Sequence, residues 1–450
     1  MLTWFRKKMK TIMIVVAILF GASMFYGLGY SGLSGGSEGG PGQGSRVIAK
    51  VNGQEIDPLR FREIMNRVVQ GFGQEFTPSD LAFIENMALG QTIEFTLMAS
   101  EASRKVKVSG REIDSALDGI MKQQKVASKR QLETALKQMG LTMGQFRDLI
   151  QDDLLIQKLQ AKLREEVKVT PDDLREVRAS HILLSTEAAA KTILAKLQAG
   201  GDFAALAKEY SLDKGSAAKG GDLGYFATGS MVKPFEQTAF LLKPGQLSGL
   251  VKTPFGYHII LLVDSRLRKF PANGQSIEQI ALQEKQEKTF RNWYSEVTAK
   301  AKVEVISPEF KANNLRFKGQ LGEAITEYKK AIAENPASPL LHVFLGDTFM
   351  TIGQKALAIS EYESAVRLEG GNPDLYLVLG KAYEATGQGE LAASQYKKAS
   401  LVAGDTKAVH ERLLKLFQKL KRPREVALEQ SELKRIEKKE KFEKELRGGQ

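Results

Sequence analysis

The chain has 450 residues, of which 42% are hydrophobic and 26% charged, so it is long enough for about three globular domains. It contains no cysteine, which excludes disulfide bonds, thiolate metal sites, a cysteine nucleophile and a lipid-modified N-terminal cysteine. The formal net charge is +12, but residues 411–450 alone hold 13 Lys and Arg against 8 Asp and Glu. Because no basic stripe is interleaved with aromatic side chains, this charge does not predict nucleic-acid binding.

Residues 1–28 are predicted to be a short cytoplasmic tip and a membrane anchor. Thr11–Leu28 is an uncharged apolar run that follows four basic residues between positions 6 and 10. Its 18 residues are near the lower limit for a helix that crosses about 30 Å of hydrocarbon. The basic flank predicts a single-pass membrane protein whose N-terminus is cytoplasmic and whose remaining chain lies outside the cytoplasm. A cleaved signal peptide, with its cleavage site near residues 21–23, is the alternative.

Residues 29–45 are predicted to be a flexible linker, because nine glycines fall between positions 27 and 44. Residues 46–175 are predicted to form a mainly helical module that opens with a hairpin. The segment 46–56 alternates apolar and polar residues around Asn52-Gly53, a dipeptide that suits a two-residue turn. From Asp57 to about Glu166, apolar residues recur at three- and four-residue steps, which predicts amphipathic helices.

Residues 176–266 are predicted to form a small α+β domain. Arg178–Leu184 and Thr253–Leu262 are apolar runs bounded by turn formers, which predicts two strands, and each carries one histidine. Thr186–Ala199 and Asp202–Tyr210 between them have helical patterns, and the second begins at a predicted N-cap. In residues 267–306, a further amphipathic helix is predicted from Pro271 to Lys302.

Residues 307–420 contain a 34-residue repeat. A Gly-Gln pair recurs at Gly319, Gly353 and Gly387, with alanine and tyrosine positions in the same register. This is the period of tetratricopeptide repeats, helix pairs that stack into an α-solenoid with a concave docking surface. Ala408–Leu420 is predicted to be the closing helix, and residues 421–450 a charged C-terminal helix in solvent. A spacer or dimerising role for the repeats is the alternative to docking.

Two resemblances to known families add to these patterns. Ala179–Leu183, Gly220–Phe226, Gly229–Phe235 and Phe255–Ile260 are similar, in this order, to the motifs of the parvulin family of peptidyl-prolyl cis/trans isomerases. The Val-Asn-Gly opening of the helical module resembles SurA- and PpiD-like periplasmic chaperones. In that group residues 267–306 would return to complete the module, leaving the isomerase domain as an insertion.

The expected architecture is therefore multidomain and mainly α with one α+β domain. It comprises a transmembrane helix, a helical SurA-like chaperone module, an inserted parvulin domain with a small antiparallel sheet, and a C-terminal α-solenoid of tetratricopeptide repeats. The expected boundaries are 1–28, 29–45, 46–175, 176–266, 267–306, 307–420 and 421–450.

The parvulin resemblance implies a site with two groups of residues. Two facing histidines, a threonine bonded to them and a nearby polar residue would be catalytic: His181, His258, Thr253 and Asp213. Apolar side chains would bind the proline ring: Leu223, Met231 and Phe235, with Phe226 at the edge. The loop after the first strand, residues 185–188, has no cation, so a preference for phosphorylated substrates is not expected.

Other chemistries are poorly supported by the residues. The two histidines are 77 residues apart, and neither cysteine nor a carboxylate stands at a metal-ligand spacing, so no metal is predicted. A Ser-His-Asp hydrolase could use Ser180, His181 and Asp213, but no nucleophile elbow is present. No cofactor is predicted.

The sequence thus predicts a membrane-anchored periplasmic peptidyl-prolyl isomerase and chaperone. Its expected partners are unfolded or newly exported proline-containing chains, a protein or peptide bound by the repeats, and the inner membrane, but no nucleic acid. The alternatives are a chaperone whose parvulin domain is catalytically inactive, and an assembly scaffold of the envelope based on the repeats.

Overall fold

The computed structural model describes residues 47–72, 76–269 and 274–448. The predicted anchor Thr11–Leu28 and the linker 29–45 lie outside the described residues. Within the described ranges, no helix combines the length and the apolar character needed to cross a membrane. The chain divides into two compact units, of which the first joins the residues up to Ile156 with those from Lys300, and the second is Gln157–Ala299.

The first unit combines a small sheet with helices on both sides of the insertion. Its strands are β1 (Ala49–Val51), β2 (Gln54–Glu55) and β7 (Val303–Val305). Its N-terminal helices are α1 (Pro58–Phe72), α2 (Pro78–Lys105), α3 (Gly110–Gln123), α4 (Lys129–Gln138) and most of α5 (Met143–Glu165). Its C-terminal helices are α11 (Pro308–Phe317), α12 (Leu321–Glu334), α13 (Pro339–Thr351), α14 (Lys355–Leu368), α15 (Pro373–Ala385), α16 (Gly389–Val402), α17 (Lys407–Lys419) and α18 (Pro423–Gly448).

The predicted hairpin at the start of the first unit is confirmed. Asn52 and Gly53 have φ of 52° and 84°, as a two-residue turn with both central residues left-handed requires. The turn joins β1 to β2, and β7 pairs antiparallel with β1, where Lys50 faces Glu304. The segment after the insertion therefore returns to the N-terminal sheet.

The second unit holds a four-stranded antiparallel sheet in the order β4-β3-β6-β5. Its strands are β3 (Arg175–Leu184), β4 (Asp222–Ala227), β5 (Val251–Thr253) and β6 (Gly256–Leu267). Its helices are α6 (Glu187–Gln198), α7 (Phe203–Tyr210), α8 (Lys214–Ala217), α9 (Lys233–Leu241) and α10 (Ile277–Lys300). The predicted N-cap of α7 is confirmed, because the Asp202 carboxylate accepts the Ala205 N–H at 2.6 Å.

Helix α10 belongs to the second unit, whereas the sequence predicts that it returns to the chaperone module. Two ion pairs hold the first half of α10 to the isomerase domain, one at the turn before β3 and one just after β6. Lys285 Nζ lies 2.7 Å from the Asp173 carboxylate, and Arg268 lies 2.9 Å from Glu284. Only the strand that follows α10, β7, pairs with the N-terminal sheet.

The repeats form one helical hairpin more than the sequence predicts. Helices α17 and α18 pack as a fourth hairpin, so the segment after Leu420 is only partly a solvated extension. Lys421 has a φ of 54° at the position that is glycine in the earlier hairpins. A buried His410 on α17 bonds Glu429 on α18 at 2.6 Å. The glycine signature is missing here, which explains why the fourth hairpin is not evident in the sequence.

Helix α2 of the N-terminal module packs on the repeats. It contacts α11, α13 and α15, the first helices of the first three hairpins, which form the inner face of such a stack. Leu81 and Ile84 are fully buried in the same core as the repeat residues. Asn313 Nδ2 donates to Glu85 Oε2 at 2.8 Å. This helix therefore covers part of the repeat surface that the sequence predicts for a docked partner.

Candidate active site

The two histidines come from neighbouring strands of the isomerase sheet. His181 on β3 pairs with Ile260 on β6, and His258 stands two residues before Ile260. Residues two apart on a strand project from the same face of a sheet, so the two imidazoles meet diagonally. The rings are nearly parallel, with 19° between their planes and 5.3 Å between their centroids. Both side chains are buried.

Two glycines let other segments approach this part of the sheet. Gly221 has a φ of 84°, and a Cβ at this position would lie 2.4 Å from the carbonyl oxygen of His181. A Cβ on Gly256, whose φ is 137°, would lie 2.4 Å from the carbonyl oxygen of Leu184. Any other residue would strain its own backbone and collide with β3. The glycines in the motifs quoted above therefore bring the flanking segments against the first histidine strand.

A continuous hydrogen-bond chain runs through the site. His181 Nδ1 lies 3.1 Å from His258 Nδ1, and His181 Nε2 lies 2.8 Å from Asp213 Oδ2. At the other end, Thr253 Oγ1 lies 2.8 Å from His258 Nε2 and accepts the Phe255 N–H at 3.1 Å.

The partners assign the proton on each ring nitrogen. An ionised Asp213 requires an N–H at His181 Nε2. In the tautomer of His181 that has its one proton there, Nδ1 accepts the N–H of His258 Nδ1. His258 Nε2 is then unprotonated and accepts the hydroxyl proton of Thr253. In this arrangement all the bonds run in one direction, from the Thr253 hydroxyl through the two rings to the Asp213 carboxylate.

Burial and hydrogen bonding lower the pKa values of two residues in the site. Burial, followed by the neighbouring His181, lowers the pKa of His258 to about 4. Hydrogen bonds from Ser216 and then His181 lower the pKa of Asp213 to about 2. At neutral pH the carboxylate of Asp213 is therefore ionised and His258 is uncharged.

A short loop delivers Asp213 to His181. The hydroxyl of Ser211 accepts the N–H groups of Leu183 and Asp213, at 3.1 and 3.3 Å, so the loop is fastened to the end of β3. Asp213 caps the four-residue helix α8, and Ser216 in this helix donates to the Asp213 carboxylate. The Ser216 Oγ also lies 3.0 Å from His181 Nε2.

Apolar side chains next to the histidines form one cluster with the core of the sheet. The ring of Phe235 meets both imidazoles edge-on, with its centroid 5.6 Å from that of His181 and 5.3 Å from that of His258. Leu223 and Met231 are partly buried against the same cluster. We call Leu223, Met231 and Phe235 the apolar cup. Phe226 is 6% exposed and packs on Phe235, so it belongs to the layer below the cup.

The structure thus brings together all eight residues that the sequence singles out, with His181, His258, Thr253 and Asp213 in the hydrogen-bond chain and the other four in one apolar cluster. Ser216 is a member that the sequence analysis missed. Its signal was the spacing Asp213-x-x-Ser216, in which a hydroxyl three residues after an N-cap aspartate can reach the carboxylate. Within the described ranges, no group of three or more metal-ligating side chains is placed to hold an ion.

Sequence profiles of three families match the chain in succession. The SurA-like N-terminal domain matches residues 1–160. The PPIC-type peptidyl-prolyl isomerase domain matches residues 162–266. The tetratricopeptide repeat matches residues 311–373 and 345–406. The isomerase match contains every residue of the hydrogen-bond chain and of the apolar cup.

Curated relatives and solved structures that are similar to this chain are named as foldases or peptidylprolyl isomerases. The foldase protein PrsA of Geobacillus kaustophilus is 40% identical over 45% of this chain and 69% of its own length. That of Caldanaerobacter subterraneus is 32% identical over 64% of this chain and 94% of its own length. The crystal structure of the peptidylprolyl isomerase PrsA from Bacillus anthracis is 32% identical, covering 47% of this chain and 97% of that one, with a TM-score of 0.28.

Proposed function

The chain belongs to the PrsA family of foldases and is a peptidyl-prolyl cis/trans isomerase that also acts as a chaperone; we propose that the reaction takes place over His181 and His258. The observation that carries this proposal is the direct bond between the two imidazoles, at 3.1 Å, beneath the edge-on ring of Phe235. His181, His258, Thr253 and Asp213 form the polar floor, and the apolar cup receives the proline ring.

The chemistry of prolyl isomerisation fits such a site. Rotation about the C–N bond must overcome about 18–20 kcal/mol, because conjugation gives this bond partial double-bond character. No bond to another atom forms, so the enzyme has only to bind the twisted amide better than either planar form. In the twisted amide the carbonyl becomes ketone-like and the nitrogen loses conjugation. A dry surface with fixed dipoles favours this state, since it needs no reorganisation during the rotation.

Each part of the site has a proposed task. Asp213 and Thr253 hold the tautomers and the orientation of the two rings from opposite ends of the chain. Met231 and Phe235 hold the proline ring so that only the acyl side of the amide turns. Phe226 supports Phe235 from below. The lowered pKa of His258, about 4, keeps a charge away from the amide at neutral pH.

An isomerisation assay on a short Xaa-Pro peptide tests this proposal. We expect kcat/KM to fall at least about tenfold in His181→Ala, Met231→Ala and Phe235→Ala, because each removes a group that touches the amide or the proline ring. Phe442→Ala removes a 61% exposed ring in α18 and serves as the matched control, with an unchanged rate. Full activity in all three site variants would rule out this location for the reaction.

The proposed cellular place and partners of the enzyme are based on the sequence. We propose that Thr11–Leu28 anchors the chain in the cytoplasmic membrane, and that the folded part acts in the periplasm on newly exported, proline-containing chains. The basic flank and the apolar run support this orientation. Resistance to carbonate extraction, together with protease sensitivity in spheroplasts, is the expected result. A soluble protein whose mature N-terminus follows residue 23 would favour a cleaved signal peptide.

We also propose the division into modules 46–175, 176–266, 267–306 and 307–420, with 421–450 as the C-terminal helix. The three profile matches and the return of β7 to β1 support this order. The repeats brace the chaperone module, because α2 shares their core. A protein partner of the repeats would then bind the surfaces that α2 leaves open.

A further inference from the structure

The loop Thr228–Met231 supplies one wall of the apolar cup, and groups outside the loop hold it at several points. The N–H groups of Gly229 and Met231 both donate to Glu236 Oε2 in the first turn of α9. The N–H of Ser230 donates to the Ala227 carbonyl at 3.3 Å. The two bonds to Glu236 fix the loop relative to α9, the helix that carries Phe235, and the third fixes it to the end of β4.

Asp173 holds the same loop from the opposite direction. This residue lies in the short turn before β3 and is 7% exposed. Its Oδ1 accepts the hydroxyl of Thr228 at 3.1 Å. Its Oδ2 accepts the N–H and the hydroxyl of Thr170, each at 2.7 Å. One carboxylate therefore joins the entry to the isomerase domain with the loop that leads to Met231.

Helix α10 provides the charge that keeps this carboxylate in place. Lys285 Nζ lies 2.7 Å from Asp173 Oδ2, and the lysine side chain is 34% exposed. Although burial opposes ionisation, the bonds from Lys285 and Thr170 hold the pKa of Asp173 below its ordinary value. One turn further along α10, the side chain of Lys288 covers Gly229, since a Cβ there would lie 2.7 Å from its Nζ.

We propose that Asp173 and Lys285 are positioning residues for isomerisation. Their ion pair ties Thr228 to helix α10 and so sets the distance between Met231 and the histidine pair. Neither residue is in the hydrogen-bond chain or in the cup, and both act through Met231. This inference rests on the proposed role of Met231 in holding the proline ring.

Loss of the Asp173–Lys285 ion pair should weaken substrate binding and change the rate of rotation about the prolyl bond little. Breaking the pair lets the Met231 wall move, whereas the floor of His181 and His258 stays in place. Small displacements of a positioning group are costly because binding must first restore the productive geometry. In Lys285→Met we expect KM to rise about fivefold and kcat to stay within about twofold.

Two further variants separate positioning from a general loss of structure. Lys285→Arg keeps the charge opposite Asp173 and should restore KM to within about twofold of wild type. Thr228→Val cuts the loop from Asp173 but leaves the ion pair intact, and should raise KM as Lys285→Met does. Glu284→Gln, on the same helix as Lys285, is the matched control, because it removes the ion pair to Arg268 and leaves the Lys285–Asp173 pair intact. The bond from Arg268 to the Asp173 carbonyl, at 3.4 Å, does not involve the Glu284 side chain.

The experiment measures kcat and KM of the full chain on one Xaa-Pro peptide for these four variants and for Met231→Ala. A higher KM in Lys285→Met and Thr228→Val, rescue by Lys285→Arg and a normal Glu284→Gln support the inference. If Met231→Ala raises KM while Lys285→Met behaves like Glu284→Gln, the positioning role is wrong and the cup stands. If Met231→Ala is also normal, the proposed site itself is wrong.

Discussion

In the isomerase site, His181 and His258 are 77 residues apart in the chain and bond directly, whereas in the repeats the hydroxyl of Tyr328 bonds Asn313 only 15 residues away. The repeat contact recurs one period later, where Tyr362 bonds Asp347 at 2.7 Å. The chain of bonds through the two histidines has no second copy among the described residues. Substitutions in the isomerase site should therefore lower the catalytic rate more than the stability. Substitutions in the repeats should lower the stability and leave the catalytic rate unchanged.

The largest expected effect is in the repeats. In Gly380→Ala, the new Cβ would lie 2.2 Å from the ring of Tyr396, which is fully buried and cannot give way. We expect local stability to fall by about 3 kcal/mol, the upper range for overpacking, while kcat/KM stays unchanged. Hydrogen exchange of peptides from α15 and α16 measures the loss.

Gly389→Ala, at the start of α16, is the matched control, because a Cβ there meets nothing within 4 Å. It should leave exchange unchanged or slow it. A fall in kcat/KM of Gly380→Ala, at a temperature where the repeats are folded, would contradict the proposed independence of the two regions.

The next largest effect is a change of folding stability with pH, caused by His258 in the active site. The pKa of His258 in the folded chain is about 4, below the ordinary 6.5, so the unfolded chain binds more protons between these values. Stability should therefore fall as the pH is lowered from 7 to 4.5, by on the order of 2 kcal/mol from this residue. Asp213 does not contribute to this loss, because its stabilising effect is lost only below its ordinary pKa of 3.8, towards about 2.

Urea unfolding of wild type and His258→Gln at pH 7 and pH 4.5 measures this contribution. The difference between the two pH values should be smaller in the variant. His342→Gln, which removes a histidine paired with Glu361 in the repeats, is the control, and it should not reproduce the change attributed to His258. Equal pH dependence in wild type and His258→Gln would refute the assignment of a neutral, buried His258.

Thr253→Val should show the smaller catalytic effect of an interrupted hydrogen-bond chain. The variant keeps the shape of the side chain but leaves His258 Nε2 without its 2.8 Å partner. We expect kcat/KM to fall about tenfold, equivalent to about 1.4 kcal/mol, and the melting temperature to fall by a few degrees because a buried acceptor loses its partner. Thr192→Val is the control, since that hydroxyl bonds only a carbonyl of its own helix. A normal rate in Thr253→Val would show that catalysis does not need the hydrogen bond between Thr253 and His258.

Ser216→Ala is the mildest test. Because the hydrogen bond from Ser216 is the largest cause of the lowered pKa of Asp213, its loss should raise that pKa from about 2 towards the ordinary value. Carboxyl carbon chemical shifts measured between pH 2 and 6 would report the change. The carboxylate stays ionised at neutral pH, so kcat/KM should fall only about threefold. An unchanged pKa would mean that His181 alone sets the charge state of Asp213.

The sequence predicted the parts that local motifs or repetition encode. The Asn52-Gly53 turn, the Asp202 cap and the 34-residue period each depend on residues close together in the chain. The histidine pair could be inferred only because four motifs matched a known family in order. No local pattern states that β3 and β6 pair in the register that opposes His181 and Ile260.

What the sequence did not predict depends on contacts between distant segments. The amphipathic pattern of α2 predicts a buried face but not the repeats as its partner, more than 200 residues later. The fourth hairpin is not recognisable in the sequence, because Lys421 stands where the earlier hairpins have the glycine of the Gly-Gln pair. Ser216 gains its role only when α8 turns its hydroxyl towards Asp213.

The packing of α2 on the repeats has a practical consequence for anyone who shortens this protein. A fragment that stops near residue 306 would bare Leu81, Ile84 and Ala88, which are fully buried in the whole chain. Such a fragment would tend to self-associate and to adsorb to other proteins, and could be mistaken for an unusually strong chaperone. Point substitutions in the intact chain are therefore the safer way to learn which surface holds clients.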